Sequence, residues 1–553
     1  MLRILRRKIM TSTININDFN IVKEGRAEIL TPKEDKVFYN HIQQFNRDLS
    51  VMAINAYANA REEEHARKEQ KSLEAQKVRE EKKETNETGE EEQQQKPAFK
   101  KRKLGGISIL EALSATGLRA IRYGHEIPHA SKIVANDLLP EAVKSITRNI
   151  EYNKLTDKVT ANHGDAIKFM ASTDEKFHVV DLDPYGTATP FLDGAIQCLA
   201  DDGLLLVTCT DAGVLAGSGY PEKCFALYGG NNFGNSYVNS EANHEAGIRL
   251  MLNMIANTAA KYGKSIEPLL SLSIDYYFRL FIKVKRSPMQ VKNHASETML
   301  TYGCNGCGNK IFQPLGQRKH NKYQYPKLAP GLTSSCEYCE SSFNIAGPMY
   351  GSAIHNHEFI DKVLKINSEA EQGVYGTSER IKGMLSLAKN ELDFPFYFNL
   401  SHFPSIFKSA PISIDQFAKA IGALGYKLSL THTKRNCVKT NAPWDVVLKI
   451  NREWAVASNK KYLEEMKAKE DISDKIKEKL EQLEKDITYN PKLAKDSVGD
   501  KIMTSLKGTE ELKIDFETEN DQSKHIAKLR QLKMVRFQEN PKNWGPKARP
   551  SSK

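Results

Sequence analysis

Residues 177–187 read FHVVDLDPYGT: an apolar run long enough for one strand, followed at once by the turn Asp183-Pro184-Tyr185-Gly186. Runs of the same kind recur at Ile107 to Leu113, Lys132 to Ala135 and Leu204 to Cys209, with amphipathic helix-like stretches between them. Strands alternating with helices predict an α/β fold, a doubly wound, Rossmann-like parallel sheet. Ligands of such sheets bind outside the carboxyl ends of the strands, so the residues that end each run form the candidate site.

The first run ends in EALSATGLRAIR, where Ser114 to Gly117 make a small-residue turn before a helix starting near Leu118. A dinucleotide fingerprint needs three glycines to bring a pyrophosphate onto the helix, and only Gly117 is present, so a cofactor without phosphates fits better. The second run ends at Asn136-Asp137, 26 residues after Glu111, where a carboxylate can accept both hydroxyls of a ribose. A shorter strand ends at Asp165-Ala166, whose carboxylate and backbone amide can read an adenine edge. Taken singly, an Asp after a strand is most often a turn or N-cap residue. Taken in order, these positions suggest adenosine.

The turn at 183–186 resembles the (D/N/S)-P-P-(Y/F) motif of S-adenosylmethionine-dependent amino-methyltransferases, with one proline fewer. An exocyclic amine of a nucleobase is a poor nucleophile until hydrogen bonds hold it in line with the methyl group. The Asp183 side chain and the Pro184 carbonyl are two acceptors for its N–H bonds, and Tyr185 offers a face on which an extruded base can stack. The plain alternative is an ordinary turn leaving a strand. A chemical rival is ring-carbon methylation of cytosine C5, with Cys209 of Thr208-Cys209 as the covalent nucleophile.

The match extends to FYNHIQQFNRDLS (38–50), LEALSATGLRAIRYGHEIPH (110–129), ANDLLPEAV (135–143), DLDPYGT (181–187), GYPEKCFALYGG (219–230), KTNAPWD (439–445) and NWGPKARP (543–550). These stretches resemble the tRNA (guanine26-N2)-dimethyltransferase family in its fungal form. The resemblance implies a class I methyltransferase domain and two successive methylations of N2 of guanosine 26, with S-adenosyl-L-methionine as donor and tRNA as substrate. It places Arg47 at the methionine part of the cofactor with Gly117 and Arg122 beside it, Asp137 at the ribose, Asp165 and Ala166 at the adenine, and Asp183 at the target amine. Spacing does not choose between Arg119 and Arg122.

Cys304-x2-Cys307 and Cys336-x2-Cys339 supply four thiolates for a structural zinc, across a spacer of 28 residues. An all-cysteine set leaves no open position for catalysis. Around it lie Lys310, Arg318, Lys319, His320, Lys322 and Lys327 with Tyr323 and Tyr325, a mixture suited to RNA or simply a solvated loop. Residues 411–450 read as helix, turn and strand, a small α/β or winged-helix-like unit with Lys427, Lys434, Arg435 and Lys439 near Trp444.

The whole chain, 553 residues with 80 Lys+Arg against 69 Asp+Glu, carries a net charge of +11, which favours a polyanionic partner. Its best apolar run, Leu204 to Leu215, is broken by Thr208, Thr210 and Asp211, so no transmembrane segment is expected. Residues 1–15 open with MLRILRRKIM, a mitochondrial presequence pattern or a plain basic terminus. Residues 61–103 hold 13 basic and 12 acidic residues, either a solvated helix or a disordered insertion ending in the nuclear-import-like Lys100-Lys101-Arg102-Lys103. The expected organisation is a targeting segment at 1–15, a methyltransferase domain at 16–290 interrupted at 61–103, a smaller α+β tRNA-binding domain with the four-cysteine zinc site at 291–455, and a charged helical region with a basic tail at 456–553. Nucleus and mitochondrion are the expected locations, and a monomer without a protein partner is the expected state. The rival outside enzymes is an inert, zinc-bearing RNA-binding protein.

Overall fold

The protein is described by a computed structural model for residues 16–33, 39–84, 105–320, 322–469, 472–488, 490, 493–507 and 512–531. The basic start at 1–15, the 100–103 run and the 543–550 stretch lie outside these residues. A hairpin of β1 (Phe19–Glu24) and β2 (Ala27–Pro32) leads into α1 (Gln44–Glu84). The charged insertion therefore begins as a helix: α1 is buried through Ala58, and from Arg61 to Glu74 it is exposed or half-buried.

Strand and helix then alternate: β3 (Ile107–Glu111), α2 (Leu118–Glu126), β4 (Ala130–Asp137), α3 (Pro140–Tyr152), β5 (Val159–His163), α4 (Ala166–Ser172), β6 (Phe177–Leu182), α5 (Leu192–Cys198) and β7 (Leu199–Cys209). Two short helices, α6 (Ala212–Leu215) and α7 (Pro221–Tyr228), precede α8 (Asn243–Ala260) and the hairpin of β8 (Lys264–Ile274) and β9 (Tyr277–Arg286). The seven strands are ordered β5-β4-β3-β6-β7-β9-β8, parallel from β3 to β7, with β9 running antiparallel between β7 and β8.

Strand side chains alternate faces, and both faces are apolar. Leu110, Val180, Leu182, Leu205 and Val207 pack with α5 and α8 on one side; Ile109, Val179, Leu204 and Leu206 pack with α1, α2 and α3 on the other. Connections leave β3 toward β4 on one flank and reach β6 on the other. The crevice of the sheet therefore opens where β3 and β6 end side by side.

The rest of the chain builds on this sheet. Strands β10 (Thr298–Cys304), β11 (Lys310–Pro314) and β14 (Phe343–Tyr350) form an antiparallel sheet, and β12 (Gln317–Lys319) and β13 (Lys322–Gln324) form a separate two-stranded ribbon. Ala346, Met349 and Tyr350 of β14 join the core on the α8 side. Strands β15 (Phe398–Asn399), β16 (Leu428–Leu430) and β17 (Cys437–Thr440) pack with the helices Ile414–Ala423 and Trp444–Lys467 around a third core. Within the charged region after 456, the helix Asp474–Lys485 is not solvated all round, because Leu480 and Leu483 are buried.

A buried charged seam joins the two parts. Glu391 accepts from His432 Nδ1 at 2.7 Å and faces Lys439 Nζ at 2.9 Å, while the same ammonium lies 3.1 Å from Glu245. His355 completes the group, and backbone amides of Ser271 and Ser273 on β8 donate to His355 Nδ1 and His432 Nε2. Lys439 brings the positive charge that a metal would bring to such a His-Glu-His set.

Candidate active site

The turn after β3 is shaped by its backbone. Gly117 caps α2 with φ +79°, and a Cβ there would lie 3.3 Å from Ile146 Cγ2, so glycine satisfies both the left-handed conformation and the close approach. Ala115 N–H donates to Asp137 Oδ2 at 2.9 Å, and Leu139 N–H donates to Oδ1 at 3.0 Å. Asn136, buried beneath, donates to the carbonyls of Ala112 and Gly164 and accepts from Asn162, which ties the ends of β3, β4 and β5 together. Asp165 caps α4 through bonds from Ile167 and Lys168 N–H, so its carboxylate does the local work expected of an N-cap while standing beside Asp137 at the rim. Leu138, Leu139 and Ile167, next in sequence to these two carboxylates or within two residues of them, are exposed apolar side chains at this rim. No signal in the sequence marks these three.

Asp183 stands at the end of β6 with 24% of its side chain exposed. Its Oδ2 is held by Arg119, whose guanidinium also meets Glu111 at 3.6 Å and Asp181 at 3.5 Å and donates to Ser50 Oγ at 3.2 Å. Beneath lies Asp181, fully buried, paired with Arg279 at 2.8 Å and accepting from Tyr123 Oη at 2.5 Å. Burial pulls the Asp181 carboxyl upward, but Arg279 and then Arg119 outweigh it and hold it below its ordinary range. Glu111 has weaker compensation, and burial pushes its carboxyl up to about 8 against the pull of Arg119 and Ser114. Arg279 closes the network with bonds to Thr208 Oγ1 and Ser50 Oγ.

The Asp183-Gly186 turn is fixed from the next strand end. Gly186, at φ +81°, donates its N–H to Thr210 Oγ1 at 2.7 Å, and Thr210 N–H returns a bond to Gly186 O at 3.0 Å. Pro184 is buried at its base. Tyr185 next to it is 85% exposed, a ring presented at the mouth of the crevice.

The two arginines expected at the cofactor fare differently. Arg47 is nearly buried, clasped by Glu24 at 2.6 and 2.5 Å and by the Asn40 carbonyl at 3.0 Å. Arg122 must be corrected. It is fully buried, enclosed by Glu24 at 2.8 Å, Asp48 at 2.6 Å and Glu126 at 2.9 Å, and it shows no surface to a ligand. Arg119, three residues earlier on the same helix, is the arginine at the strand ends.

Cys209 has no exposed surface, and burial raises its thiol pKa; the sulfur sits 3.3 Å from Tyr228 Oη. A nucleophile needs a thiolate and access, and this residue has neither.

The four cysteines at 304, 307, 336 and 339 are all buried, with their sulfurs within 4.8 Å of one another. A tetrahedral zinc with bonds of ~2.3 Å needs sulfurs about 3.8 Å apart, and Cys307 and Cys336 lie at 3.6 Å. Both knuckles are closed by backbone bonds, Cys304 N–H to Asn309 O and Cys336 N–H to Ser341 O, and a Cβ on Gly306 would strike Ser341 Oγ at 2.3 Å. Donor set and packing fit a structural zinc. The basic residues expected around it divide: Lys310 is adjacent, whereas 317–327 leave from the opposite end of β11.

A parallel sheet with an antiparallel strand between its last two, acids at the ends of β4 and β5 and a carboxylate-bearing turn at the end of β6 define a Rossmann-like methyltransferase. The N2,N2-dimethylguanosine tRNA methyltransferase family profile matches residues 11–452, and the chain belongs to this family. It is 48% identical over 569 residues to the Saccharomyces cerevisiae protein named tRNA (guanine(26)-N(2))-dimethyltransferase, mitochondrial, covering 98% of this chain and 94% of that one. A Schizosaccharomyces pombe tRNA (guanine(26)-N(2))-dimethyltransferase is 39% identical, covering 96% and 92%. In fold, the chain is similar to Trm1 from Pyrococcus horikoshii, solved with S-adenosyl-L-methionine, at a TM-score of 0.60 and 24% identity over 78% of this chain and 99% of that one.

Proposed function

We propose that this chain transfers methyl groups from S-adenosyl-L-methionine to the exocyclic N2 of guanosine 26 in tRNA, giving N2-methylguanosine and then N2,N2-dimethylguanosine. The observation that carries the reading is Asp183, an anchored yet partly exposed carboxylate beside the exposed ring of Tyr185. Bound in the crevice, the cofactor supplies a methyl group activated on a sulfonium. Asp137 would hold its ribose, Asp165 and the Ala166 amide its adenine, Gly117 would line its path, and Arg47 with Arg119 would face its methionine part.

Asp183 and the Pro184 carbonyl accept the N–H bonds of the target amine, align its lone pair and stabilise the positive charge that grows on nitrogen. Tyr185 stacks on the extruded guanine. Arg119 is a positioning residue: it fixes one oxygen of Asp183 and leaves the other for the base. Zinc at the cysteine cluster has a structural part only. The name of the S. cerevisiae relative supports a mitochondrial location, and we extend it to a nuclear share on the strength of the 100–103 run.

The test is direct. Unmodified tRNA is incubated with the protein and labelled cofactor, digested to nucleosides and read by mass spectrometry. Mono- and dimethylated guanosine at position 26 is the expected product; label in 5-methylcytidine, or none at all, overturns the reading.

A further inference from the structure

The ribbon of β12 and β13 stands apart from every other sheet among the described residues, and its register is unusual. Lys319 lies directly opposite Lys322, and both are exposed. Like charges facing each other across a strand pair are destabilising, and an isolated two-stranded ribbon has little stability to spare. No acid is near in sequence: between Glu297 and Glu337 the chain has no Asp or Glu, while Lys310, Arg318, Lys319, Lys322 and Lys327 fall inside that interval. Neither Lys319 nor Lys322 makes an ion pair among the described residues. A repelling pair of this kind is relieved by an anion placed between the two ammonium groups.

Two aromatic rings accompany the charges. Tyr323 is 50% exposed and Tyr325 85% exposed, with centroids 6.2 Å apart at 69°. The ribbon is nonetheless held in place. Arg318 donates to Asn293 Oδ1 at 2.5 Å, and a Cβ on Gly316 would sit 2.7 Å from the Tyr323 ring and 2.8 Å from Ala295 Cβ, so the base of the ribbon is packed tightly on the 293–297 segment. It is a preformed surface of cations and rings. It also starts from the end of β11 remote from the cysteine cluster, roughly 13 Å along that strand.

We propose that the β12–β13 ribbon grips the phosphate backbone of the tRNA away from the target base, with Lys319 and Lys322 straddling phosphates and Tyr325 against an exposed ribose or base. The inference rests on the function proposed above and names the surface that holds the substrate. Such a contact adds affinity without touching the reacting atoms, so it acts on KM for tRNA and leaves kcat alone.

Full-length Lys319→Gln/Lys322→Gln protein tests it by tRNA binding over a series of salt concentrations. Losing two phosphate contacts should lower the slope of log Kd against log salt by about 1.4–1.8 and weaken Kd about tenfold near 0.1 M salt. Affinity for S-adenosylmethionine, kcat at saturating tRNA and thermal stability should not fall. Lys319→Glu is the companion variant, because it turns the repelling pair into an attracting one: the ribbon gains stability while tRNA affinity drops. A salt slope and Kd equal to wild type in the double variant, or unchanged tRNA affinity in Lys319→Glu, overturns the proposal. A wild-type protein that fails to methylate tRNA overturns the function itself, a separate outcome.

Discussion

Asp183→Asn isolates the chemistry from the fold. The amide has the shape of the carboxylate, but its two ends differ, and Arg119 decides which way it turns. The guanidinium can only donate, so the amide oxygen takes the place of Oδ2 and the NH2 is left toward the incoming guanine amine. A donor then faces a donor where an acceptor is needed, and the negative charge is gone as positive charge develops. Removing one preorganised group of this type costs ~10²–10³ in turnover, about 3–4 kcal/mol. The fold should tolerate the change, since Arg119 keeps Asp181 as a charged partner and Ser50 Oγ as an acceptor. Cofactor affinity should stay within about threefold. Single-turnover methylation of unmodified tRNA together with calorimetric titration of the cofactor gives both numbers. Turnover above a tenth of wild type, or a large loss of cofactor binding at full turnover, would refute the role given to Asp183.

Further outcomes follow from the same geometry. Cys209→Ala should keep turnover within about threefold, because the thiol is shut in against Tyr228; a hundredfold loss together with a trapped RNA adduct in wild type would restore the ring-carbon mechanism. Cys336→Ser should abolish stoichiometric zinc in elemental analysis and lower Tm, since it removes one of four converging sulfurs. Folded Glu111 keeps its proton up to about 8, whereas the unfolded group releases it near 4.5. Across that interval the unfolded state binds fewer protons, so this group makes stability fall as pH rises. Glu111→Gln should flatten the dependence of the urea midpoint on pH over the same range, and an unchanged profile would contradict the buried, protonated carboxyl.

Features that depend on one residue following another are legible in the chain itself. The strand at 177–182 has the bounds expected of it, and the helix after Gly117 and the order of strand-end acids follow from apolar runs and turn residues that are contiguous. The same is true of the paired cysteines, whose close spacing within each pair puts two sulfurs on one knuckle. Exposure of Leu138, Leu139 and Ile167 is hidden from such a reading, because apolar residues after a strand look like more core until the partner that covers them is known to be lacking.

Linear order by itself determined the fold class and marked the 183–186 turn and the two cysteine pairs as candidate sites, since each depends on neighbours within a few bonds. Only the assembled molecule chose Arg119 over Arg122. Helical spacing puts both on α2, and the choice rests on Glu24 and Asp48 arriving from other elements to bury one, while Asp181 and Asp183 draw the other to the strand ends. The Arg279–Asp181 pair beneath the site, 98 residues apart, came from packing as well. Charge pairs between distant segments are set by how sheets and helices dock, and one-dimensional patterns carry no record of that docking.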